Sequence, residues 1–140
     1  MGKARQYKVK KVSPGSASGP AVVMNERITM LGTVIPEQGV FIRRGTELEG
    51  VSIAGKVLFF ISGKGSSIWS AYFKIACRHN NAPAAVVNAE VDPFVALACV
   101  LNDIPMVQLE DAGVLDIVKT GDLVDVDADL GVLTVKAASD

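Results

Sequence analysis

The stretch KVLFFISGKGSSIWSAYFKIACRH, residues 56–79, decides the fold of this 140-residue chain. After Lys56 comes an unbroken apolar run of strand length, which is typical of a strand covered on both faces. Residues 68–79 repeat apolar side chains with helical spacing, and Trp69, Phe73 and Ala76 fall on one stripe. The order strand, Gly-rich loop, helix predicts one unit of an α/β fold.

Two different patterns flank this unit. Before it come a basic strand and several short apolar pieces separated by turn residues: a strand at 7–12, a turn segment at 13–20, and apolar pieces at 21–24, 28–34 and 40–42, with breaks at 25–26, 36 and 39. After it, strands and helices alternate and a hairpin follows: strands at 84–88 and 104–107, helices at 94–101 and 111–119, and a hairpin at 123–136. We therefore predict N-terminal strands followed by alternating strands and helices in a single domain, residues 1–140.

Two of these segments carry further expectations. Asp92-Pro93 begins the second helix, with a side-chain acceptor at the N-cap and a proline at the first helical position. The residues after it have almost no polar face, so we expect this helix to be buried on most sides. The lysines at 7–12 favour an exposed edge strand that resists pairing with other chains, with a phosphate-binding arm as the alternative.

Composition excludes several classes of function. Apolar residues make up 49% of the chain and charged residues 21%, which is typical of a folded domain. The net charge of -1 creates no field that would recruit nucleic acid or anionic lipid. The longest nearly apolar run, residues 93–101, is far shorter than the ~20 residues of a membrane span. We expect a cytoplasmic protein with neither nucleic acid nor membrane as a partner.

The residues that usually bind metals are scarce. The chain has one histidine, His79, and two cysteines, Cys77 and Cys99. A Ser-His-Asp triad could use only His79, and a zinc site would need all three residues together. We expect the thiols to fill the core, His79 to close a helix, and no metal or cofactor to be bound by this chain.

Two motifs resemble known sites and fail. Residues 50–56, GVSIAGK, match the start of a P-loop, but Val57 stands where Ser or Thr must reach magnesium and a strand follows instead of a helix. Residues 125–129, DVDAD, match the opening of a calcium loop, but Leu130 replaces the required glycine.

The loop Gly63-Lys64-Gly65-Ser66-Ser67 is the segment that can carry chemistry. Its glycines free the backbone to turn N–H groups toward one point, and its two hydroxyls lead into a helix N-terminus with partial positive charge. Such a loop binds an anion. The alternative is that one serine caps the helix and the glycines only form the turn.

At this loop the chain resembles the small subunit of the aconitase X family. The resemblance covers nearly the whole chain and is carried by four segments in the same order: AGKVLFF at 54–60 running into SGKGSS at 62–67, APAAVVN at 82–88 followed by Asp92-Pro93, KTGD at 119–122, and VDVDADLG at 124–131. It implies a swivelling β/β/α three-layer domain.

The resemblance also implies a function and a partner. In the family, a serine of this loop removes a proton next to a carboxylate-bearing carbon, while an iron–sulfur cluster on a large subunit acts as a Lewis acid on the departing hydroxyl. By position the base is Ser66, and Gly63, Lys64, Gly65 and Ser67 contact the substrate anion. The implied reaction is the dehydration of mevalonate 5-phosphate to anhydromevalonate 5-phosphate.

Two alternatives remain beside this hypothesis. The same mechanism can act on a hydroxyproline, as in bacterial members of the family. The chain can also be a non-catalytic module that uses the loop to bind an anion or to dock a partner. Lys64 stands where the family often has arginine, and a lysine cannot make the two-pronged contact of a guanidinium.

Overall fold

The computed structural model describes residues 3–42 and 45–138, so the first two and last two residues of the predicted domain and residues 43–44 lie outside it. Nine strands and three helices follow one another in the described part of the chain: β1 (Arg5–Ser13), β2 (Ser16–Ile28), β3 (Val34–Ile35), β4 (Val40–Phe41), β5 (Val57–Gly63), α1 (Ile68–Arg78), β6 (Ala85–Asn88), α2 (Pro93–Leu101), β7 (Met106–Leu109), α3 (Val114–Ile117), β8 (Leu123–Asp127) and β9 (Val132–Lys136).

Seven of these strands close into a barrel in the order β1-β7-β6-β5-β2-β8-β9, and β9 pairs with β1. The strands β2, β5, β6 and β7 are parallel neighbours, whereas β8 and β9 form the predicted antiparallel hairpin. The two short strands β3 and β4 pair only with each other. Because β2, β5 and β6 run in the same direction, their carboxyl ends meet at one edge.

The strand β5 is covered on both faces, as its apolar run predicts. Leu58 and Phe60 belong to a core beneath α1 and α2, and Val57 and Phe59 belong to a second core inside the barrel. All four side chains are at most 1% exposed. Successive residues of a strand point to opposite faces, so a strand between two cores needs apolar residues at every position.

The mixed α/β character is confirmed, but the two predicted β layers are not separate sheets. Strands β1 and β2 each pair with the parallel strands along one part of their length and with β8 or β9 along another, which joins both layers into the barrel. The strand β1 pairs with β9 along residues 5–8 and with β7 along residues 9–13, and its lysines at 8, 10 and 11 are exposed. Each half of β1 thus pairs on one side only, and its interpretation as an exposed edge strand stays a prediction.

The N-terminal strands are longer than their composition predicts. The predicted turn at 13–20 is confined to Pro14 and Gly15, because Ser16 to Pro20 pair with β8. The predicted break at 25–26 is only a shift of register within β2. A polar sequence thus forms a strand where a neighbouring strand supplies its hydrogen bonds.

The helices match the predictions unequally. Helix α1 ends at Arg78 with His79 as its C-cap, and α2 begins at Asp92-Pro93, both as predicted. The predicted burial of α2 is wrong, because four apolar side chains on its outer side are exposed: Phe94, Leu97, Val100 and Leu101. The predicted helix at 111–119 is reduced to α3, a single turn.

In the described ranges no helix reaches the length and hydropathy of a membrane span.

Candidate active site

The Gly-rich loop leaves β5 at the edge where the parallel strands end. Ile28 of β2 lies beside Gly63, and Asn88 of β6 lies beside Phe60, so the three strands end within a few residues of one another. In parallel sheets, both open and closed into barrels, ligands commonly bind outside the carboxyl ends of the strands. The loop therefore occupies the position in this sheet at which such ligands bind.

The backbone of the loop presents free hydrogen-bond donors. The Lys64 N–H donates to the Ile28 carbonyl at 3.0 Å, and the Gly65 N–H donates to Asp92 Oδ2 at 2.6 Å. The N–H groups of Ser66 and Ser67 donate to no acceptor in residues 3–42 and 45–138. These two donors precede α1, whose N-terminus adds partial positive charge.

The two serines have different surroundings. Ser66 is half-buried, and its Oγ accepts a hydrogen bond from the Ile68 N–H at 3.2 Å. Ser67 is exposed at the N-cap position and its side chain makes no capping bond. A backbone donor and the helix N-terminus both favour negative charge on the Ser66 oxygen. The same bond also fits the alternative in which a serine caps the first turn of α1.

Lys64 and Gly63 differ in exposure. The Lys64 side chain is exposed and forms no ion pair with any described residue, so its ammonium group is available to an anion. Gly63 is buried, and a Cβ built on it would stand 2.6 Å from Val95 Cγ2 and 2.9 Å from Asp92 Oδ2. Gly63 therefore shapes the floor of the loop and presents no side chain to a ligand.

Asp92 is a site residue that the sequence identified only as a helix cap. Its Oδ1 accepts from the Phe94 N–H at 2.7 Å, which confirms the cap. Its Oδ2 accepts the Gly65 N–H, so the backbone donor of a residue expected to contact the substrate anion is already bonded within the chain. The sequence does carry a signal for a place of Asp92 at the site. Asp92 shortly follows β6, and the end of β6 lies next to the end of β5.

An exposed ion pair also lies at this edge and has no sequence signal of its own. One nitrogen of the Arg27 guanidinium, Nη2, lies 2.7 and 2.8 Å from the two carboxylate oxygens of Glu90. Arg27 is paired in register with Ser62, and the Glu90 N–H donates to the Ile61 carbonyl. The pair therefore spans the end of β5 and places a second cation near the loop.

The aromatic side chains of α1 and β5 support the loop from below. Trp69 is fully buried, stacks on Phe60 with ring centroids 5.5 Å apart, and meets Phe73 edge-on. Its Nε1 would lie 3.1 Å from a Cβ on Gly63. The first turn of α1 is thus anchored in the core directly beneath the loop.

The two cysteines are free thiols, with Cys99 buried and Cys77 half-buried. Burial raises the pKa of the Cys99 thiol far above its ordinary value, and burial followed by the Asp103 carboxylate raises the pKa of Cys77. Within residues 3–42 and 45–138, no three His, Cys, Asp or Glu side chains come together as metal ligands would.

The chain belongs to the aconitase X swivel-domain family, whose model matches residues 6–135. The phosphomevalonate dehydratase small subunit of Methanothrix thermoacetophila is 45% identical over 123 residues, which cover 88% of this chain and 89% of that protein. The subunit of the same name from Thermococcus kodakarensis is 38% identical over 126 residues, covering 90% and 92%.

A solved structure agrees with these sequence relatives. The crystal structure of Thermococcus kodakaraensis aconitase X in its holo-form superposes with a TM-score of 0.83 at 35% identity. The superposition covers 94% of this chain and 98% of that one. Family and fold are thus supported independently by sequence and by structure.

Proposed function

We propose that this chain is the small subunit of a heteromeric dehydratase that converts mevalonate 5-phosphate to anhydromevalonate 5-phosphate and water. The observation that carries the proposal is the Ser66 hydroxyl, held at the N-terminus of α1 with the Ile68 N–H donating to it. The relatives named phosphomevalonate dehydratase small subunit support the substrate. The chain, residues 1–140, acts as one swivelling domain in the cytoplasm and is inactive without its large subunit.

In the proposed reaction, Ser66 Oγ in its alkoxide form accepts the proton from the carbon next to the substrate carboxylate. The electron pair of that C–H bond becomes the new double bond, and the hydroxyl on the neighbouring carbon leaves. An iron–sulfur cluster on the large subunit supplies Lewis-acid chemistry toward this hydroxyl when bound. Donors aimed at Ser66 Oγ stabilise its alkoxide, the form that can accept the proton.

The substrate anion is proposed to bind at the loop. The free N–H groups of Ser66 and Ser67, the Ser67 hydroxyl and the Lys64 ammonium are available for it. The Gly65 N–H is not among the donors proposed to contact the anion, because it donates to Asp92. Gly63 contributes by keeping the floor of the loop free of a side chain.

Ser66→Ala in the complete heteromer tests the assignment. We expect kcat to fall by about 10²- to 10⁴-fold, the usual contribution of a general base. Assembly with the large subunit is expected to be unchanged in co-elution. Ser67→Ala is the matched control, because it removes a neighbouring hydroxyl that makes no capping bond, and it should mainly raise KM. Near-normal turnover by Ser66→Ala would refute the proposed function.

The two alternative functions make different predictions. A hydroxyproline dehydratase would consume hydroxyproline instead of mevalonate 5-phosphate, which product analysis with both compounds decides. A non-catalytic anion-binding or assembly module is favoured by the free donors of Ser66 and Ser67. It predicts that the chain alone binds inorganic phosphate in calorimetric titration and that Ser66→Ala leaves the turnover of the heteromer unchanged.

A further inference from the structure

We propose that Asp92 is a positioning residue that holds the Ser66 loop against the N-terminus of α2. This inference rests on the proposed role of Ser66 as the base. Asp92 touches neither serine side chain through a hydrogen bond in the described residues, so it acts through the backbone that carries them.

The carboxylate of Asp92 joins two parts of the chain. Its Oδ2 accepts the Gly65 N–H at 2.6 Å and its Oδ1 accepts the Phe94 N–H at 2.7 Å. The side chain is 7% exposed, so water competes little for these bonds. Hydrogen bonds to a charged acceptor are about twice as strong as neutral ones. The loop is thus tied directly to α2.

The bond from the Gly65 N–H to Asp92 Oδ2 exceeds what a helix cap requires. An N-cap needs only one oxygen, and Ser, Thr or Asn serves as well as Asp. Only a carboxylate offers two acceptor oxygens without a donor hydrogen. The use of Oδ2 for Gly65 therefore points to a function of Asp92 outside α2.

The bond to Gly65 controls where Ser66 stands. Gly65 has φ of 67° and immediately precedes Ser66, so a rotation about the Gly65 backbone carries the Ser66 side chain with it. A glycine in this conformation has many alternatives of similar energy. The bond to Asp92 fixes the peptide plane before Gly65, and the bond from the Ile68 N–H to Ser66 Oγ fixes the chain after it, so the two together limit the conformations of Gly65 and the position of Ser66.

Asp92→Ser separates the two bonds. A serine retains an N-cap oxygen for the Phe94 N–H, but it has no second oxygen that can accept the Gly65 N–H. In the heteromer we expect kcat to fall about 100-fold with KM changed less than about threefold, because a small displacement of a reacting group lowers rate by this amount. Asp92→Asn, with one acceptor oxygen for two donors, should give an intermediate kcat.

Amide hydrogen exchange of the full-length chain provides a readout that does not depend on catalysis. Asp92→Ser should speed exchange at Gly65 about tenfold or more, the effect of losing a hydrogen bond to a charged group, while Phe94 stays protected. Asp127→Ser is the matched control, because its Oδ1 accepts the Leu130 N–H in a turn at the opposite end of β2. It should leave kcat and Gly65 exchange unchanged.

The proposed role of Asp92 and the proposed role of Ser66 can fail independently in these experiments. Three results would overturn the inference about Asp92: unchanged kcat in Asp92→Ser, unchanged exchange at Gly65 in that variant, or an equal loss of kcat in Asp127→Ser. The Ser66→Ala result would still decide the proposed function. If Ser66→Ala is active, the proposed function fails, and the exchange at Gly65 still shows whether Asp92 holds the loop.

Discussion

Gly63 shows how tightly the loop is constrained at the scale of one residue. Its φ is not in the left-handed region, so a side chain is excluded by space and not by backbone conformation. A Cβ would meet Val95 Cγ2 at 2.6 Å, Asp92 Oδ2 at 2.9 Å and Trp69 Nε1 at 3.1 Å. The first of these is a core atom and the second belongs to the residue that binds the Gly65 N–H.

Gly63→Ala is therefore expected to affect both stability and turnover. The free energy of unfolding should fall by about 1–3 kcal/mol, the usual cost of overpacking, and kcat should fall because Asp92 is displaced. Gly50→Ala is the comparison, because Gly50 has open space around it and a φ of 78°, so only backbone strain is added. It should lower stability with kcat retained. Urea unfolding and steady-state kinetics measure both; wild-type stability in Gly63→Ala would contradict this.

The helix α2 is apolar on both sides, and at the scale of the element this is its unusual property. Val95, Ala98 and Cys99 are buried against α1 and the barrel. On the outer side Leu97 is 50% and Leu101 63% exposed, and Phe94 lies 3.8 Å from a Cβ built on Gly65. Exposed apolar patches of this kind commonly mark contacts between proteins, so we expect this surface to contact the proposed large subunit.

Leu97→Gln tests this surface. The stability of the chain alone should change by less than about 0.5 kcal/mol, because the side chain is exposed. The dissociation constant for the large subunit should rise about 4- to 13-fold, since Leu97 is 50% exposed and covering the remaining half of a leucine contributes about half of the ~1.5–3 kcal/mol of full burial. Leu130→Gln is the control, because Leu130 is 78% exposed in the β8–β9 turn at the far end of β2. Equal affinities for both variants would show that α2 is not the contact.

The whole molecule is organised by two cores that share the strands β5 and β6. One core lies between the strands and the helices and the other lies inside the barrel. Cys99 belongs to the first core and is fully buried, and burial raises the pKa of its thiol from the ordinary value of 9.0. Unfolding exposes this thiol, so the unfolded chain releases its proton at a lower pH than the folded chain.

Stability is therefore expected to fall at high pH. The contribution of the buried thiol is complete below about pH 9 and is lost as pH rises, because only the unfolded state then ionises. The slope from one thiol reaches about 1.4 kcal/mol per pH unit. Urea unfolding of the wild type and of Cys99→Ala at pH 8 and pH 10 measures the difference. The same pH dependence in both proteins would contradict the assignment, since all other groups titrate alike in both.

The success of sequence reasoning differs between particular elements. Burial was predictable for the run at 57–61 and for the stripe Trp69, Phe73 and Ala76. In each segment the local pattern of apolar residues is enough to predict which side chains are buried. The strand at Ser16 to Pro20 and the exposure of α2 were not predictable, because a pairing partner and a covering layer are properties of other segments. The local pattern of α2 is the same whether its outer side is covered by this chain or by another.

The sequence by itself determined the family, the strand–loop–helix unit and the position of the two serines at a helix N-terminus. Only the tertiary structure decided that Asp92 reaches the Gly65 N–H across 27 residues of chain. The physical reason is that local periodicity and turn chemistry act within a few residues. Which strand ends lie side by side depends on strand order and register, and these are set by packing of the whole barrel.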